Sequence, residues 1–262
     1  MKAPPSGLVP NRFGPNLQGF SLKANFGILY IVPAKNSIKE YEPGAFYHIY
    51  NRGVEKRDIF LDPQDYKVVI SYLATYLSPP SPQGFSLKAI SPSHTPKNYF
   101  EQICLLCFCL MPNHFHLLIK QSEISGMNYF MRSIATRYSV YFNKKYHRVG
   151  SLFQGTYKAI KITSDQQLLH LSRYIHLNPS KLYQDLPPSR RNLEVLQYPY
   201  SSLGHYLHHY TQSWISADLV LNNFHRDSPN NSYKSFLFSS PMMQLANDLT
   251  LESDTDTFKE KP

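Results

Sequence analysis

The sequence predicts an α+β domain in which an antiparallel sheet is covered by helices on one side. Runs of aromatic and branched residues alternate with segments of helical periodicity, which is the succession expected of an α+β domain. Two of the strand-like runs meet at Pro112-Asn113, a break of the hairpin type. A hydrophobic content of 42% supplies enough apolar side chains for a core.

The first half of the domain predicts a strand, a helix and two further strands. Phe46 to Tyr50 is aromatic and branched, as strands are. Asp62-Pro63-Gln64-Asp65 predicts the start of a helix that runs to about Leu77. Phe100 to Met111 and His116 to Lys120 then predict the two strands of the hairpin.

The second half predicts a long helix, a strand and another helix. Apolar residues recur at steps of three and four from Met127 to Phe142, which indicates an amphipathic helix. Leu152 to Ile162 predicts a strand. Ser164-Asp165-Gln166-Gln167 has the pattern of a capping box, and it predicts the start of a helix that carries Tyr174.

Composition changes along the chain predict its organisation. Residues 1–41 mix Pro, Asn, Gly and aromatics without periodicity, and predict a poorly ordered N-terminal extension. Residues 42–190 form the predicted central domain, interrupted by a Pro- and Ser-rich inserted loop at 78–97. Residues 191–228 predict a small C-terminal addition, and residues 229–262 predict a polar, flexible tail.

Charge and composition favour a polyanionic partner. The 27 Lys and Arg exceed the 18 Asp and Glu, so the formal charge is +9, and the pI is near 9.3. Basicity alone does not separate DNA from RNA. Neither an apolar run of about 18 residues nor a signal peptide is visible, so we expect no membrane partner and a cytoplasmic, nucleoid-associated protein. The three cysteines, Cys104, Cys107 and Cys109, are interpreted as buried small hydrophobes.

His114 and His116 lie two residues apart at the start of the second hairpin strand. Successive side chains of a strand alternate between faces, so the two imidazoles point the same way. Such a pair can bind a divalent metal through two nitrogens. The alternative is that both are ordinary histidines at a sheet surface, so the metal site needs support from elsewhere in the chain.

That support comes from four further sequence segments, which occur in the expected order. Met111-Pro112-Asn113-His114-Phe115-His116 and Tyr174-Ile175-His176-Leu177-Asn178-Pro179 resemble the His-hydrophobic-His and catalytic-tyrosine motifs of single-tyrosine HUH transposases. Within this family, the most similar branch is the REP-associated tyrosine transposases, which are named for repetitive extragenic palindromes. Three further segments are similar to this family: Tyr47 to Gly53, Gly150 to Gly155 and Tyr198 to Ser202. The resemblance therefore spans about Gly44 to Phe224.

The resemblance implies a fold, a nucleophile and a metal site. The implied fold is ferredoxin-like, or RRM-like. Tyr174 is the implied nucleophile, which attacks a DNA phosphodiester and leaves a 5′-phosphotyrosine link. His114 and His116 are the implied metal ligands, and the metal is expected to be Mg²⁺ or Mn²⁺, with zinc left open.

The third metal ligand is predicted from position. Asn178 lies four residues after Tyr174 and shares its helical face, so its side-chain oxygen can complete the site. Pro179 complicates this, because the residue before a proline is pushed away from helical geometry. His176 is the alternative ligand.

The expected partner is single-stranded DNA folded into a hairpin, as in the resembled family. Several basic residues are candidates for phosphate contacts. They are Arg52, Arg132, Arg137, Lys144, Lys145, Arg148 and Lys158. The sequence leaves open whether the chain acts as a monomer or as a homodimer that exchanges the tyrosine helix.

Two other functions remain open at this point. One is a domesticated protein that binds a DNA hairpin without cleaving it, and the other is a metal-dependent nuclease that uses water. Tyr174→Phe separates the three: cleavage survives in a hydrolase, disappears in a transposase and was never present in a pure binder.

Overall fold

A computed structural model describes residues 20–25, 28–33, 41–80, 97–224 and 232–239 of the chain. The chain divides into two compact units, Met1–Glu40 and Tyr41–Pro262. Within the first unit, strand β1 (Phe20–Asn25) pairs antiparallel with strand β2 (Ile28–Pro33). The predicted N-terminal extension therefore contains a hairpin, while the rest of its residues up to 40 lie outside the described ranges.

The second unit is built on a four-stranded antiparallel sheet. Its strands are β3 (Phe46–Arg52), β4 (Ile103–Met111), β5 (His114–Gln121) and β6 (Lys158–Ile162), in the order β4-β5-β3-β6. Its helices are α1 (Pro63–Leu77), α2 (Gly126–Lys145), α3 (Asp165–Leu177), α4 (Pro188–Leu196), α5 (Leu203–Tyr206), α6 (Asp218–Leu221) and α7 (Tyr233–Phe238). The βαββαβ succession from β3 to β6 with this strand order is ferredoxin-like, so the predicted α+β fold class is confirmed.

Helices α1 and α2 pack together through a buried polar contact. Asp62 caps α1 by accepting hydrogen bonds from the backbone N–H groups of Gln64 and Asp65, at 2.9 and 3.1 Å. The Lys145 ammonium at the end of α2 donates to Asp65 Oδ1 at 2.7 Å and to Asp62 Oδ2 at 2.6 Å. The cap predicted from the sequence therefore also joins the two helices.

The two faces of the sheet carry different helices. Phe115 of β5 and Met131 of α2 line one cavity together, so α2 covers the face toward which Phe115 points. His116, the next residue of β5, points to the opposite face, where the Tyr174 ring of α3 lies 5.4 Å away between ring centroids. The helix carrying the tyrosine thus lies across the sheet from α2. The prediction that helices cover only one side of the sheet is wrong, because α3 packs on the histidine face.

The predicted strand from Leu152 to Ile162 is shorter in the structure, where β6 begins only at Lys158. Gly155 has a φ of 69°, in the left-handed region that interrupts an extended strand. The backbone N–H of Gln154 donates to the Arg52 carbonyl at 2.8 Å, which holds this loop against the end of β3. The residues before β6 therefore form a loop beside the end of β3.

The C-terminal segment covers the outer edge of β4. Leu110 N–H donates to the Tyr200 carbonyl at 2.9 Å, and Ser202 N–H donates to the Phe108 carbonyl at 3.0 Å. An uncovered strand edge is a template for unwanted pairing, and this segment occupies it. Part of the predicted C-terminal addition therefore extends the sheet.

Two other predicted segments are only partly described. Of the inserted loop at 78–97, residues 81–96 lie outside the described ranges. Within the predicted tail, 229–262, the structure describes 232–239, where α7 buries Tyr233 and Leu237. No described helix has both the length and the apolar character needed to cross a membrane.

Candidate active site

His114 and His116 share one face of the sheet with three residues of β3. Arg52 lies opposite His114 and Tyr50 lies opposite His116 in the antiparallel register. His48 follows on the same face by the two-residue period of the strand. The two imidazole rings of β5 have centroids 5.0 Å apart and meet edge to face.

Each of these imidazoles uses Nδ1 for a contact inside the fold. His114 Nδ1 lies 2.6 Å from Asn113 Oδ1, and His116 Nδ1 lies 2.9 Å from His48 Nε2. An amide oxygen can only accept, so whichever His114 nitrogen carries the proton donates to its neighbouring asparagine, Nδ1 to Asn113 or Nε2 to Asn178. Histidines that bind metals characteristically engage the other ring nitrogen in this way.

The second ring nitrogens fit a metal site. His114 Nε2 lies 3.2 Å from Asn178 Oδ1. This contact is a hydrogen bond when Nε2 carries a proton, and the two atoms could instead bind one cation when Nε2 is unprotonated. His116 Nε2 is buried, and no described residue hydrogen-bonds to it. Two imidazole nitrogens and one amide oxygen are a donor set suited to a divalent cation. Among the described residues, no group of three or more His, Cys, Asp or Glu side chains is placed to hold a metal ion.

Electrostatics keep both imidazoles neutral. Burial, with the nearby charges of Lys181 and Arg52, lowers the pKa of His114 to about 4, although the hydrogen bond with Asn178 opposes this shift. Burial also places the pKa of His116 well below its ordinary value, and the charges of His114, His48 and Lys181 add to the effect. Neutral imidazole is the form that binds a metal.

Helix α3 presents Tyr174 to this pair of histidines. The hydroxyl of Ser164 caps the helix by accepting from Gln167 N–H at 3.2 Å, as the capping-box pattern predicted. The Tyr174 ring lies at 5.4 Å from the His116 ring and 6.3 Å from the His48 ring, between centroids, and only 6% of the residue is exposed. The structure thus brings the predicted nucleophile and the predicted ligands together within one chain.

Asn178 and His176 are placed differently. Asn178 keeps helical geometry, with φ −52° and ψ −39°, and Pro179 continues into a 3₁₀ helix, Asn178–Tyr183. The proline therefore does not displace Asn178 from the site. His176 is buried, with Nδ1 at 2.7 Å from Tyr233 Oη and Nε2 at 2.8 Å from Ser202 Oγ. The alternative prediction of His176 as a ligand is wrong, because both of its ring nitrogens are engaged in these contacts with Tyr233 and Ser202.

Two of the predicted DNA contacts lie on the histidine face. Arg52 is opposite His114, and its Nε donates to Gln154 Oε1. Lys158 of β6 is opposite Tyr50, so its side chain leaves the sheet on the same face. Arg148 follows α2 and donates to Asn143 Oδ1 at 3.2 Å. Arg52 and Lys158 therefore lie on the face of the sheet where Tyr174 packs.

The other four candidates lie on α2, on the opposite side of the sheet. Arg132 and Lys144 are exposed to solvent. The Arg137 guanidinium stacks over the Tyr72 ring at 4.3 Å, and Lys145 binds the carboxylates of α1. The structure does not bring these four to the histidines, and two of them are engaged in helix packing.

Three residues near the histidines were not predicted from the sequence as part of the site. His48 and Asn113 contact the ring nitrogens of His116 and His114, and Lys181 lies with its ammonium 5.7 Å from the centroid of the Tyr174 ring. Strand alternation of His48, Tyr50 and Arg52 was a signal for the first. The 3₁₀ turn that positions Lys181 left no readable pattern.

Comparison with known proteins adds an independent finding. Residues 96–178 match the family model described as transposase, IS200-like. No curated protein matches significantly. A solved structure described as a REP-associated tyrosine transposase bound to a REP hairpin is similar at 14% identity, with a TM-score of 0.45, over 70% of this chain and 92% of that one. The matched segment carries both histidines, Tyr174 and Asn178. Residues 96–178 therefore belong to the IS200-like transposase family, as the motifs predicted.

Proposed function

We propose that this chain cleaves and rejoins single-stranded DNA through a covalent link to Tyr174. The observation that carries the proposal is the convergence of Tyr174 from α3 on His116 of β5, with ring centroids 5.4 Å apart. A nucleophile beside a candidate metal site, in a segment of a transposase family, has the arrangement needed for transfer at a phosphate.

The proposed reaction exchanges one phosphate ester for another. The Tyr174 oxygen attacks the phosphorus, a bond forms between them, and the bond from phosphorus to the 3′ oxygen breaks. The phenol proton is removed and the departing 3′ oxygen gains a proton, so a 5′-phosphotyrosine and a free 3′-hydroxyl result. Attack by a 3′-hydroxyl on this link reverses the step and rejoins DNA without ATP. A phenol has an ordinary pKa near 10, so proton removal must accompany attack.

His114, His116 and Asn178 would hold the divalent metal. When bound, such an ion polarises the scissile phosphate and stabilises the charge that develops on it. The low pKa of His114, about 4, keeps that ligand neutral at physiological pH. Imidazole ligands favour Mn²⁺ over Mg²⁺, which prefers oxygen, and zinc is an outcome to be tested.

The proposed substrate is a DNA strand that folds into a hairpin at a repeated sequence. Arg52 and Lys158 add positive charge to the face where Tyr174 lies, as a single-stranded polyanion requires. The hairpin and the REP branch come from the motif resemblance. A chain that acts on chromosomal DNA is expected in the cytoplasm at the nucleoid.

One observation favours a second function, recognition of a hairpin without cleavage. Only 6% of Tyr174 is exposed, and Lys181 Nζ lies 5.7 Å from the centroid of its ring, so DNA reaches the nucleophile only if residues around Tyr174 move. A domesticated binding protein would not need this movement. The two functions differ in whether a protein–DNA adduct ever forms.

The test is a denaturing-gel assay with labelled single strands from the DNA that flanks the gene, in the presence of Mn²⁺. The parent is compared with Tyr174→Phe and His114→Ala, and with Tyr129→Phe as a control at an exposed tyrosine of α2. We expect a protein-linked label in the parent and the control, and none in the first two variants. Cleavage that survives Tyr174→Phe would identify a hydrolase, and specific binding without cleavage would identify the binding protein.

The same assay tests whether the site is assembled within one chain. Because Tyr174 already contacts the histidines of its own chain, we propose that a monomer is sufficient. Mixing Tyr174→Phe with His114→Ala should then leave adduct formation absent. If helix α3 is exchanged between two chains, the mixture regains activity, because each dimer can combine one intact histidine pair with one intact tyrosine.

A further inference from the structure

Lys181 is placed on the active-site side by the 3₁₀ helix that follows α3. In a 3₁₀ helix, side chains three residues apart lie one above the other. Asn178 and Lys181 are three residues apart in the helix Asn178–Tyr183, and Asn178 Oδ1 lies 3.2 Å from His114 Nε2. Lys181 therefore projects on the side where His114 lies.

The position of the ammonium agrees with this placement. Lys181 Nζ lies 5.7 Å from the centroid of the Tyr174 ring, while the residue itself is exposed to solvent. On the other side of His114, Arg52 lies directly opposite in the sheet register. Two cations thus flank the space in front of the histidines, one on β3 and one after α3.

We infer that Lys181 contacts the DNA phosphate that lies against Tyr174, which is the phosphate cleaved in the proposed reaction. The inference deepens the proposed function and rests on it. A phosphodiester brings one negative charge to this space, and the transition state concentrates more charge on its non-bridging oxygens. A flexible lysine that already lies over the nucleophile's ring can reach those oxygens as an ammonium donor.

A simpler account is that Lys181 only packs on the tyrosine ring. An exposed cation–π contact contributes about 0.5–1 kcal/mol to stability and gives no preference for any one phosphate. The two accounts differ in a measurable way. A phosphate contact is lost when that single phosphate is made neutral, and a packing contact is unaffected by it.

The experiment is a methylphosphonate scan, which neutralises one phosphate of the strand at a time. Binding is measured in the Tyr174→Phe background, so that no strand is consumed, with and without Lys181→Met. Lys67→Met is the matched control, because Lys67 is an exposed lysine of α1, on the opposite side of the sheet. The cleaved position is mapped separately from the adduct that the parent forms. Lys181→Arg is included because it keeps the charge.

We expect neutralising the cleaved phosphate to weaken binding about 3- to 10-fold when Lys181 is present, and less than twofold in Lys181→Met. Loss of one phosphate contact should also lower the slope of log affinity against log salt by about 0.7 for a single strand. Lys181→Arg should keep the response, and Lys67→Met should match the parent.

The inference is overturned if neutralising the cleaved phosphate weakens binding equally with and without Lys181. It is also overturned if the loss that depends on Lys181 occurs at another phosphate. If the parent forms no adduct on any strand, the proposed function fails. In that case the inference about the cleaved phosphate fails with it, and the scan still shows separately whether Lys181 contacts any single phosphate of the strand. Thermal denaturation of each variant checks that the fold is retained.

Discussion

Lys145→Met removes a charge that compensates a buried carboxylate. The Asp65 side chain is fully buried, and Lys145 Nζ lies 2.7 Å from its Oδ1 and 2.6 Å from Asp62 Oδ2. Methionine keeps the length and apolar part of the lysine side chain but donates no hydrogen bond. The substitution therefore tests whether Lys145 acts in helix packing, as the structure indicates, or in DNA binding, as the sequence predicted.

The size of the stability loss depends on the hydrogen bonds that Asp65 retains in the variant. Breaking a buried ion pair by removing one partner costs about 3–5 kcal/mol when the remaining charge has no compensation. Asp65 still accepts from Leu61 N–H and Tyr146 Oη, both at 2.8 Å, and from Tyr141 Oη at 3.0 Å. The lysine side chain is also 27% exposed, which weakens its attraction. We therefore expect the free energy of unfolding to fall by about 2–3 kcal/mol.

Urea denaturation at pH 7 measures this loss, with Lys144→Met as the control. Lys144 is the neighbouring exposed lysine, and it forms no salt bridge within the described part of the chain. Its substitution should change stability by less than about 0.5 kcal/mol. A Lys145→Met variant as stable as the parent, but with weakened DNA binding, would refute the structural role.

The stabilisation that Lys145 provides should decrease at low pH. Burial alone would raise the pKa of Asp65, but hydrogen bonds from Lys145, Leu61 N–H, Tyr146 and Tyr141 outweigh it and bring the pKa below its ordinary 3.8. A lowered folded-state pKa contributes stability that is present above pH 3.8 and is lost as the pH falls through the folded-state value. The stability difference between parent and Lys145→Met should therefore shrink below about pH 4.

The remaining predictions concern the surroundings of the histidines. His48→Ala removes the contact at 2.9 Å that orients His116, so Mn²⁺ affinity measured by calorimetry should fall about 10- to 100-fold, whereas exposed His147→Ala should leave it unchanged. Equal affinities would show that His48 does not support the ligand. Gly53→Ala would place a Cβ at 2.2 Å from the Arg57 carbonyl oxygen, so the free energy of unfolding should fall by about 2 kcal/mol. An unchanged melting temperature would mean that this turn adjusts without cost.

Local patterns in the sequence were enough for the parts of the site that one element supplies. The two-residue period of a strand puts His114 and His116 on one face whatever surrounds them. Caps are equally local, because Asp62 and Ser164 bond to N–H groups two or three residues ahead. The order of strands and helices predicted an antiparallel sheet with helices. The motifs led to the transposase family, and the resemblance to that family implied the ferredoxin-like arrangement.

Only the tertiary structure decided which long-range partner each polar side chain takes. Asn178 faces His114 and His176 faces the C-terminal segment, although both follow Tyr174 within four residues. Lys145 was a free basic residue in the sequence and is an ion-pair partner in the fold. Such choices depend on which buried groups remain to be satisfied once the elements pack. A single sequence specifies the donors and acceptors, and packing determines how they pair.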